Sequence, residues 1–353
     1  MFMLSNLRYL VLCTLGLITL FSCSEKEDFS NFNNETTEPI NIGLTYRPAS
    51  LRNQEITFQV FDDQSNEITE NIVFYVDGSP LSGNTFSSGQ DGVFSIYAEY
   101  EEQGTLSTTE TESFSVVTPT KNVLVEDYTG TWCGYCPAVS AAVDAVQSLT
   151  DNISIVAIHN GDDLSLAIEP DIREGLGIPS GSPRARIDRT VVWGAGTPPE
   201  FPTTDVLSLA GIESELAIGL ASSVDQGSLS VTVSIASEVA LADHKLVVYL
   251  TEDGLLRDQI NYYNNDESSP YYDLGNPMLD FEQKHVLRAS LTDAIGDPIP
   301  DLTALTDYTT QINYTIPEAF VLDELQLVVI VVDQNNLAVN TQHAALGETV
   351  IYQ

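Results

Sequence analysis

Apolar and polar residues alternate at period two through Glu55-Ile56-Thr57-Phe58-Gln59-Val60-Phe61, the pattern of a half-buried strand. A short apolar run, Ile72 to Val76, ends at the turn pair Asp77-Gly78, and Gln90-Asp91-Gly92 introduces a further strand, Val93 to Ala98. Ser113 to Val117 supplies one more. At Pro119 the rhythm changes. Asn122 to Tyr128 reads as a strand, and Pro137 to Leu149 has helical spacing with Val139, Val143, Val146 and Leu149 on one face. Ile153 to Ile158 follows as a buried strand, so the order is β-α-β. A second helix is expected within Leu164 to Leu176, a strand at Arg184 to Asp188 and a closing helix at Asp205 to Leu216. Strands return with the alternation of Leu229, Val231, Val233 and Ile235 and with the apolar runs Leu246 to Leu250 and Leu325 to Val332.

These changes of rhythm divide the 353 residues into a leader at 1–22, a polar tether at 23–39, a β-rich segment at 40–118, a mixed segment at 119–220 and a β-sandwich segment at 221–353. The strand spacing of 40–118 resembles an immunoglobulin-like module. The formal net charge of -38, from 13 Lys+Arg against 51 Asp+Glu, argues against nucleic acid as a partner, because phosphate binding draws on clustered cations. With 43% hydrophobic and only 18% charged residues, the chain nevertheless has ample material for packed cores.

The leader sets the expected compartment. Arg8 precedes an apolar run, Tyr9 to Phe21, that is shorter than the ~20 residues of a membrane-spanning helix. Its end, Leu20-Phe21-Ser22-Cys23, resembles a bacterial lipobox, although Phe21 departs from the usual small residue. Cys23 is therefore the expected lipidation site, with Ser24 to Pro39 as the tether. Ser24 stands where an Asp would retain a lipoprotein at the inner membrane, so the expected place is the outer membrane, lipid-anchored, on its periplasmic face or at the cell surface.

Of four cysteines, Cys13 falls in the leader and Cys23 takes the lipid, which leaves Cys133 and Cys136 in an oxidising compartment where they can form a disulfide. A ring this short gains little from cross-linking entropy, which makes the pair a poor staple and a better redox site. Trp132-Cys133-Gly134-Tyr135-Cys136-Pro137 follows a strand and opens a helix. The partial positive charge of a helix N-terminus favours a thiolate at Cys133 over Cys136, so Cys133 is the expected nucleophile and Cys136 the resolving thiol. Zinc needs four ligands and there is no second C-x-x-C, so no metal is expected. His159, His244, His285 and His343 show no ligand spacing. The acidic loop Asp62 to Glu67 lacks the Gly and terminal Glu of a calcium loop.

Over about Lys121 to Leu220 these residues resemble the thioredoxin superfamily. The resemblance implies a buried acid on the strand before the motif. Asp127 occupies the matching place, and Glu126 is its rival, since alternation lets only one of two neighbours face the site. It also implies a cis-proline opposite the disulfide, for which Pro183 is preferred over Pro179 because Ser182-Pro183 runs straight into the strand. Trp132, Tyr135, Ser182 and Arg184 would then contact a bound peptide. Arg184, Arg186 and Arg189 form a rare basic cluster in so acidic a chain, which reads either as a local positive patch beside Cys133 or as ion-pair partners of Asp188, Asp162 or Asp163.

The lipoprotein leader, Val125 to Pro137, the Ile187-Asp188-Arg189 strand end and His285-Val286-Leu287-Arg288 together resemble the 28-kilodalton-type outer-membrane lipoprotein family, over roughly Lys121 to Gln353. The expected fold is thus multidomain: an α/β thioredoxin-like central domain flanked by all-β immunoglobulin-like or sandwich domains. The expected function is a lipid-anchored, cofactor-free thiol-disulfide oxidoreductase or isomerase. Its partners would be thiols and disulfides of exported proteins or peptides, and a redox partner the sequence does not identify. The alternative is a surface binding or scaffold lipoprotein whose C-x-x-C unit is structural.

Overall fold

Phe58, Phe74 and Phe114, each on a strand-like run, meet at the centre of the N-terminal part, with the Phe58 ring centroid 5.9 Å from that of Phe74 and 5.5 Å from that of Phe114. Burying each such ring stabilises the fold by about 1.5–3 kcal/mol relative to leaving it exposed. The computed structural model describes residues 40–352. The leader, Cys23 and the whole tether lie outside them. Around the three rings, the strands Ile42–Thr45, Gln59–Asp62 and Glu67–Ile68 form one sheet. Opposite it stands a larger sheet whose centre is Ile72–Val76, Gly92–Glu102 and Glu112–Val117.

In the middle of the chain, Val123–Thr129 and Ile153–His159 pair in parallel, and the eleven residues Pro137–Gln147 (α1) connect them. Cys136 is the residue before the helix and Pro137 opens it, which suits a position whose N–H has no helical partner. Val139, Val143 and Val146 are buried as their spacing predicts, but the helix stops at Gln147 and Leu149 is exposed. The second helix is shorter than its pattern, Glu169–Leu176 (α2), because the backbone of Leu164 and the hydroxyl of Ser165 bond to the Asp162 carboxylate and hold a loop there. It ends at Gly177, whose φ of 62° is left-handed.

The expected closing helix at 205–216 is only Thr203–Leu207 (α3). Leu216 instead starts the strand Leu216–Asp225, which pairs along its whole length with Ser228–Ser237 through a turn at Gln226-Gly227. Ten paired positions on a half-apolar ribbon outweigh the weak helical spacing that the sequence suggested.

The expected α/β thioredoxin-like central domain flanked by all-β domains does not form. No such separate domain exists among the described residues. Strand is the main regular structure of the described residues, and the central strands are part of one nine-stranded sheet that continues into the C-terminal segment. Its order runs Val191–Trp193, Arg184–Ile187, Val123–Thr129, Ile153–His159, Val286–Ser290, Lys245–Glu252, Leu325–Val332, Ala338–Ala345, with Asp297–Pro298 beside Lys245–Glu252. The junction is the parallel contact of Ala157 with Val286, where the Ala157 N–H donates to the His285 carbonyl at 2.8 Å. Strand edges seek partners, and local periodicity does not say that an edge will be filled by a strand more than a hundred residues away.

Each face of this sheet has its own cover. Helices α1 and α3 pack on Val123, Val125, Ile153, Ile155, Ala185 and Ile187. The opposite face carries Leu124, Tyr128, Val156 and Ile158, continuous with Val247, Tyr249, Val328 and Ile330, and is capped by Ile172 of α2. Farther along, Leu246, Val248, Leu327 and Val329 pack against Leu229, Val231 and Val233 of a four-stranded sheet, which makes the sandwich that the C-terminal alternation predicts. The N-terminal part docks on that sandwich through Ala49 and Leu51 against Ala217, Ala236 and Tyr352, and through an Arg52–Glu238 ion pair of 3.1 Å. Among the described residues no helix is long and apolar enough to cross a membrane.

Candidate functional site

The strand Val123–Thr129 delivers the chain to a tight loop, Gly130 to Cys136, at the mouth of α1. Cys133 and Cys136 are joined there by a disulfide with Cα atoms 5.4 Å apart. Both are almost completely enclosed, with 3% and 1% of their surface exposed. Trp132 beside them is 44% exposed, its indole N–H donating to the Asn160 carbonyl at 2.6 Å. Gly130 permits this placement, because a Cβ there would come within 2.6 Å of the indole nitrogen.

The disulfide is enclosed by a segment the sequence did not point to. Residues 259–263 lie across the loop: the Ile260 N–H donates to the Thr131 carbonyl and the Tyr262 N–H to the Gly134 carbonyl, both at 2.9 Å. The Gln259 amide donates to the Cys133 carbonyl at 2.9 Å and is held in turn by Gln283 at 3.1 Å. The Tyr262 ring covers Gly134 so closely that a Cβ at that position would lie 2.4 Å from it. Tyr135 stacks edge-on against Tyr262 and Tyr263, at centroid distances of 5.1 and 5.8 Å. From the other side, the Thr131 N–H donates to Asp162, whose carboxylate also binds His159 Nδ1 at 2.8 Å. Burial opposes ionisation of Asp162, but these hydrogen bonds prevail and take it down to about 2. The loop is thus fixed on both flanks.

The two neighbouring acids diverge as strand alternation requires. Glu126 faces away from α1 into a fully buried network, paired with Arg189 at 3.0 Å and accepting the Tyr128 hydroxyl at 3.0 Å, while Arg189 also donates to the Tyr249 hydroxyl at 2.7 Å. Asp127 faces the α1 side, where it lines a cavity of about 360 Å³ between that helix and residues 271–285. One of its carboxylate oxygens has no hydrogen-bond partner among the described residues, and burial pushes its pKa up to about 8.

The Ser182–Pro183 bond is cis and Pro183 is half-buried; the Ser182 hydroxyl is enclosed and lacks a partner among the described residues. The three arginines separate. Arg184 is exposed and donates to the backbone carbonyls of Ser180 and Pro183. Arg186 is buried opposite Glu126 in register, its pKa lowered by burial, and Arg189 lies in the network just described. Because Ala185 between them faces α1 with Asp127, Arg184 and Arg186 alternate onto the other face of the sheet. The carboxylate that meets the cluster is Glu126, while Asp188 pairs with Lys121 at 3.1 Å and Asp163 with Arg257 at 2.8 Å. Sequence reading missed residues 259–263, Gln283 and the Tyr249 contact. The Tyr262-Tyr263 pair in an Asn-rich stretch was the available signal, and it does not say where those rings go. Among the described residues no group of three or more His, Cys, Asp or Glu side chains is placed to hold a metal ion.

Comparison with known proteins gives one family and a likeness of fold. Residues 178–350 match the family model of the outer membrane protein Omp28. No curated protein sequence matches the chain. Among solved structures, HBP35 of Porphyromonas gingivalis is similar with a TM-score of 0.50 and 18% identity, over 65% of this chain and 76% of that one. A domain of the outer membrane lipoprotein Omp28 from Porphyromonas gingivalis aligns over 38% of this chain and 89% of its own, at 20% identity and a TM-score of 0.25.

Proposed function

With residues 178–350 matching the Omp28 family, the chain is an outer-membrane protein related to that family, and we propose that it serves there as a binding or scaffold protein in which the Cys133–Cys136 disulfide is a sealed structural element. The observation that carries this reading is the course of residues 259–263 across the disulfide loop. The hydrogen bonds of Ile260 and Tyr262 use main-chain groups of Thr131 and Gly134 that an incoming peptide would otherwise reach, and the Tyr262 ring fills the space above Gly134. Thiol-disulfide exchange requires in-line access to a sulfur atom, which an almost fully enclosed pair does not offer. The β-rich parts on either side supply loops on rigid sheets, the usual setting for binding surfaces.

A second reading keeps the oxidoreductase of the sequence and is favoured by one observation: the pair stands at the start of α1, with the buried Asp127 carboxyl on the α1 side of the sheet. In that reading residues 259–263 withdraw and the Cys133 thiolate attacks a substrate disulfide, releasing one substrate thiol. Cys136 then displaces the other, so that the substrate leaves reduced and the Cys133–Cys136 disulfide re-forms. An exported dithiol reductant must reset the pair.

Incubating the native protein with dithiothreitol and trapping free thiols with iodoacetamide separates the two. Cysteines that stay unlabelled support the sealed structural pair; prompt labelling of Cys133 supports exchange chemistry.

A further inference from the structure

The cavity beneath α1, of which the second reading uses only Asp127, has the features of a ligand site. At about 360 Å³ it falls within the range of small-molecule pockets. Val143 of α1 and Ile155 and Ala157 of the sheet form an apolar wall, and Tyr271 and Phe281, in edge-on contact at 5.9 Å, supply aromatic surface. Into this space points Asp127, only 5% exposed, with one carboxylate oxygen unpartnered among the described residues. His285 adds an enclosed Nε2 that also lacks a hydrogen-bond partner among the described residues. At the mouth stand Asp144, Asp280 and Glu282 against a single cation, Lys284, which is itself held by Asp144 at 3.2 Å.

We propose that this cavity binds a small organic ammonium ion, a primary amine carried on an apolar body. The amine would donate to Asp127, with the hydroxyls of Thr129 on the same strand and Ser140 on the facing helix as further acceptors, and the apolar body would pack on Val143, Ile155 and Phe281. An aromatic face nearby attracts the same charge. The acidic mouth and the net charge of -38 draw cations in and repel carboxylates and phosphates. A buried carboxyl without a counter-charge is costly to ionise, and an ammonium group removes that cost while a neutral ligand of the same shape does not. Neither cysteine lines the cavity, although Gln283 on its wall holds the Gln259 amide that bonds to Cys133.

The test is a calorimetric titration of the full chain with benzylamine, benzyl alcohol and benzoate at neutral pH. Benzylamine is expected to bind saturably at one site, at least about tenfold tighter than benzyl alcohol, and benzoate not at all. Asp127→Asn, nearly isosteric, should lose that tenfold preference while retaining the native circular dichroism spectrum. Ser140→Phe, which narrows the cavity from the helix side without touching Asp127, should weaken both benzylamine and benzyl alcohol. Equal binding of benzylamine and benzyl alcohol, undiminished benzylamine binding by Asp127→Asn, or no saturable binding overturns the proposal.

Discussion

Tyr262 stands over Gly134: its N–H donates to the Gly134 carbonyl at 2.9 Å, and its ring occupies the place that any side chain at 134 would need. The residues are 128 positions apart in the chain, and their contact decides whether the neighbouring disulfide is a reagent or a fixture. Glycine is required at 134 by this close approach, since its own φ is not in the left-handed region.

Gly134→Ala should force Tyr262 off the loop. The expected result is a stability loss of about 1–3 kcal/mol in urea unfolding and faster reduction of the disulfide by dithiothreitol in the folded protein. Tyr262→Gly should increase the reduction rate as well, without the steric conflict. Reduction rates equal to wild type in both variants would mean that the ring does not guard the pair.

Arg189 lies in the sheet interior with Glu126 as its ion-pair partner, both fully buried. Arg189→Met leaves the Glu126 carboxylate uncompensated and should cost about 3–5 kcal/mol, whereas the double change with Glu126→Gln should recover part of the loss. A double-mutant cycle by urea denaturation measures the coupling, and additive effects would show that the two charges do not act together.

Asp127 should give the stability a distinct pH dependence. Its folded pKa of about 8 lies above the ordinary 3.8, so between these values the folded state holds a proton that the unfolded chain releases. Stability from this group is therefore fully present below about pH 4 and is lost as pH rises towards 8. Asp127→Asn should match wild type near pH 4 and become progressively more stable than wild type towards pH 8, by several kcal/mol at most. Melting temperatures of both proteins at pH 5 and pH 8 provide the comparison, because the titration of His285 and His343 is common to both. A constant difference between the two proteins would contradict a raised pKa.

Cys23 belongs to the segment outside the described residues, and its lipidation rests on the leader pattern. Cys23→Ala should move the protein from the membrane fraction to the soluble fraction of the envelope. Retention of the variant in the membrane would point to another anchor.

Much of the local structure was legible in the sequence. Period-two alternation located the strands around Phe58 and around Val231, and the spacing of Val139, Val143 and Val146 located α1, because each depends on residues a few positions apart. The Cys133–Cys136 loop at the helix start was legible for the same reason. What escaped depends on distant pairing. Nothing near Ala157 announces that its edge will meet Val286, so a self-contained α/β unit was expected where one continuous sheet exists. Nothing near Tyr262 tells that its backbone will bond to Gly134. The acids at 126 and 127 were distinguishable only once the register against Arg186 and Ala185 was known, since adjacent strand residues always face opposite ways.

Sealing of the Cys133–Cys136 disulfide by residues 259–263 is measured most directly by the fraction of these two cysteines labelled by iodoacetamide in dithiothreitol across a urea series, followed beside circular dichroism. A sealed structural pair predicts labelling that stays negligible in the folded range and rises only along the unfolding transition. Rapid labelling in the absence of urea, at the rate seen for the unfolded chain, would contradict it.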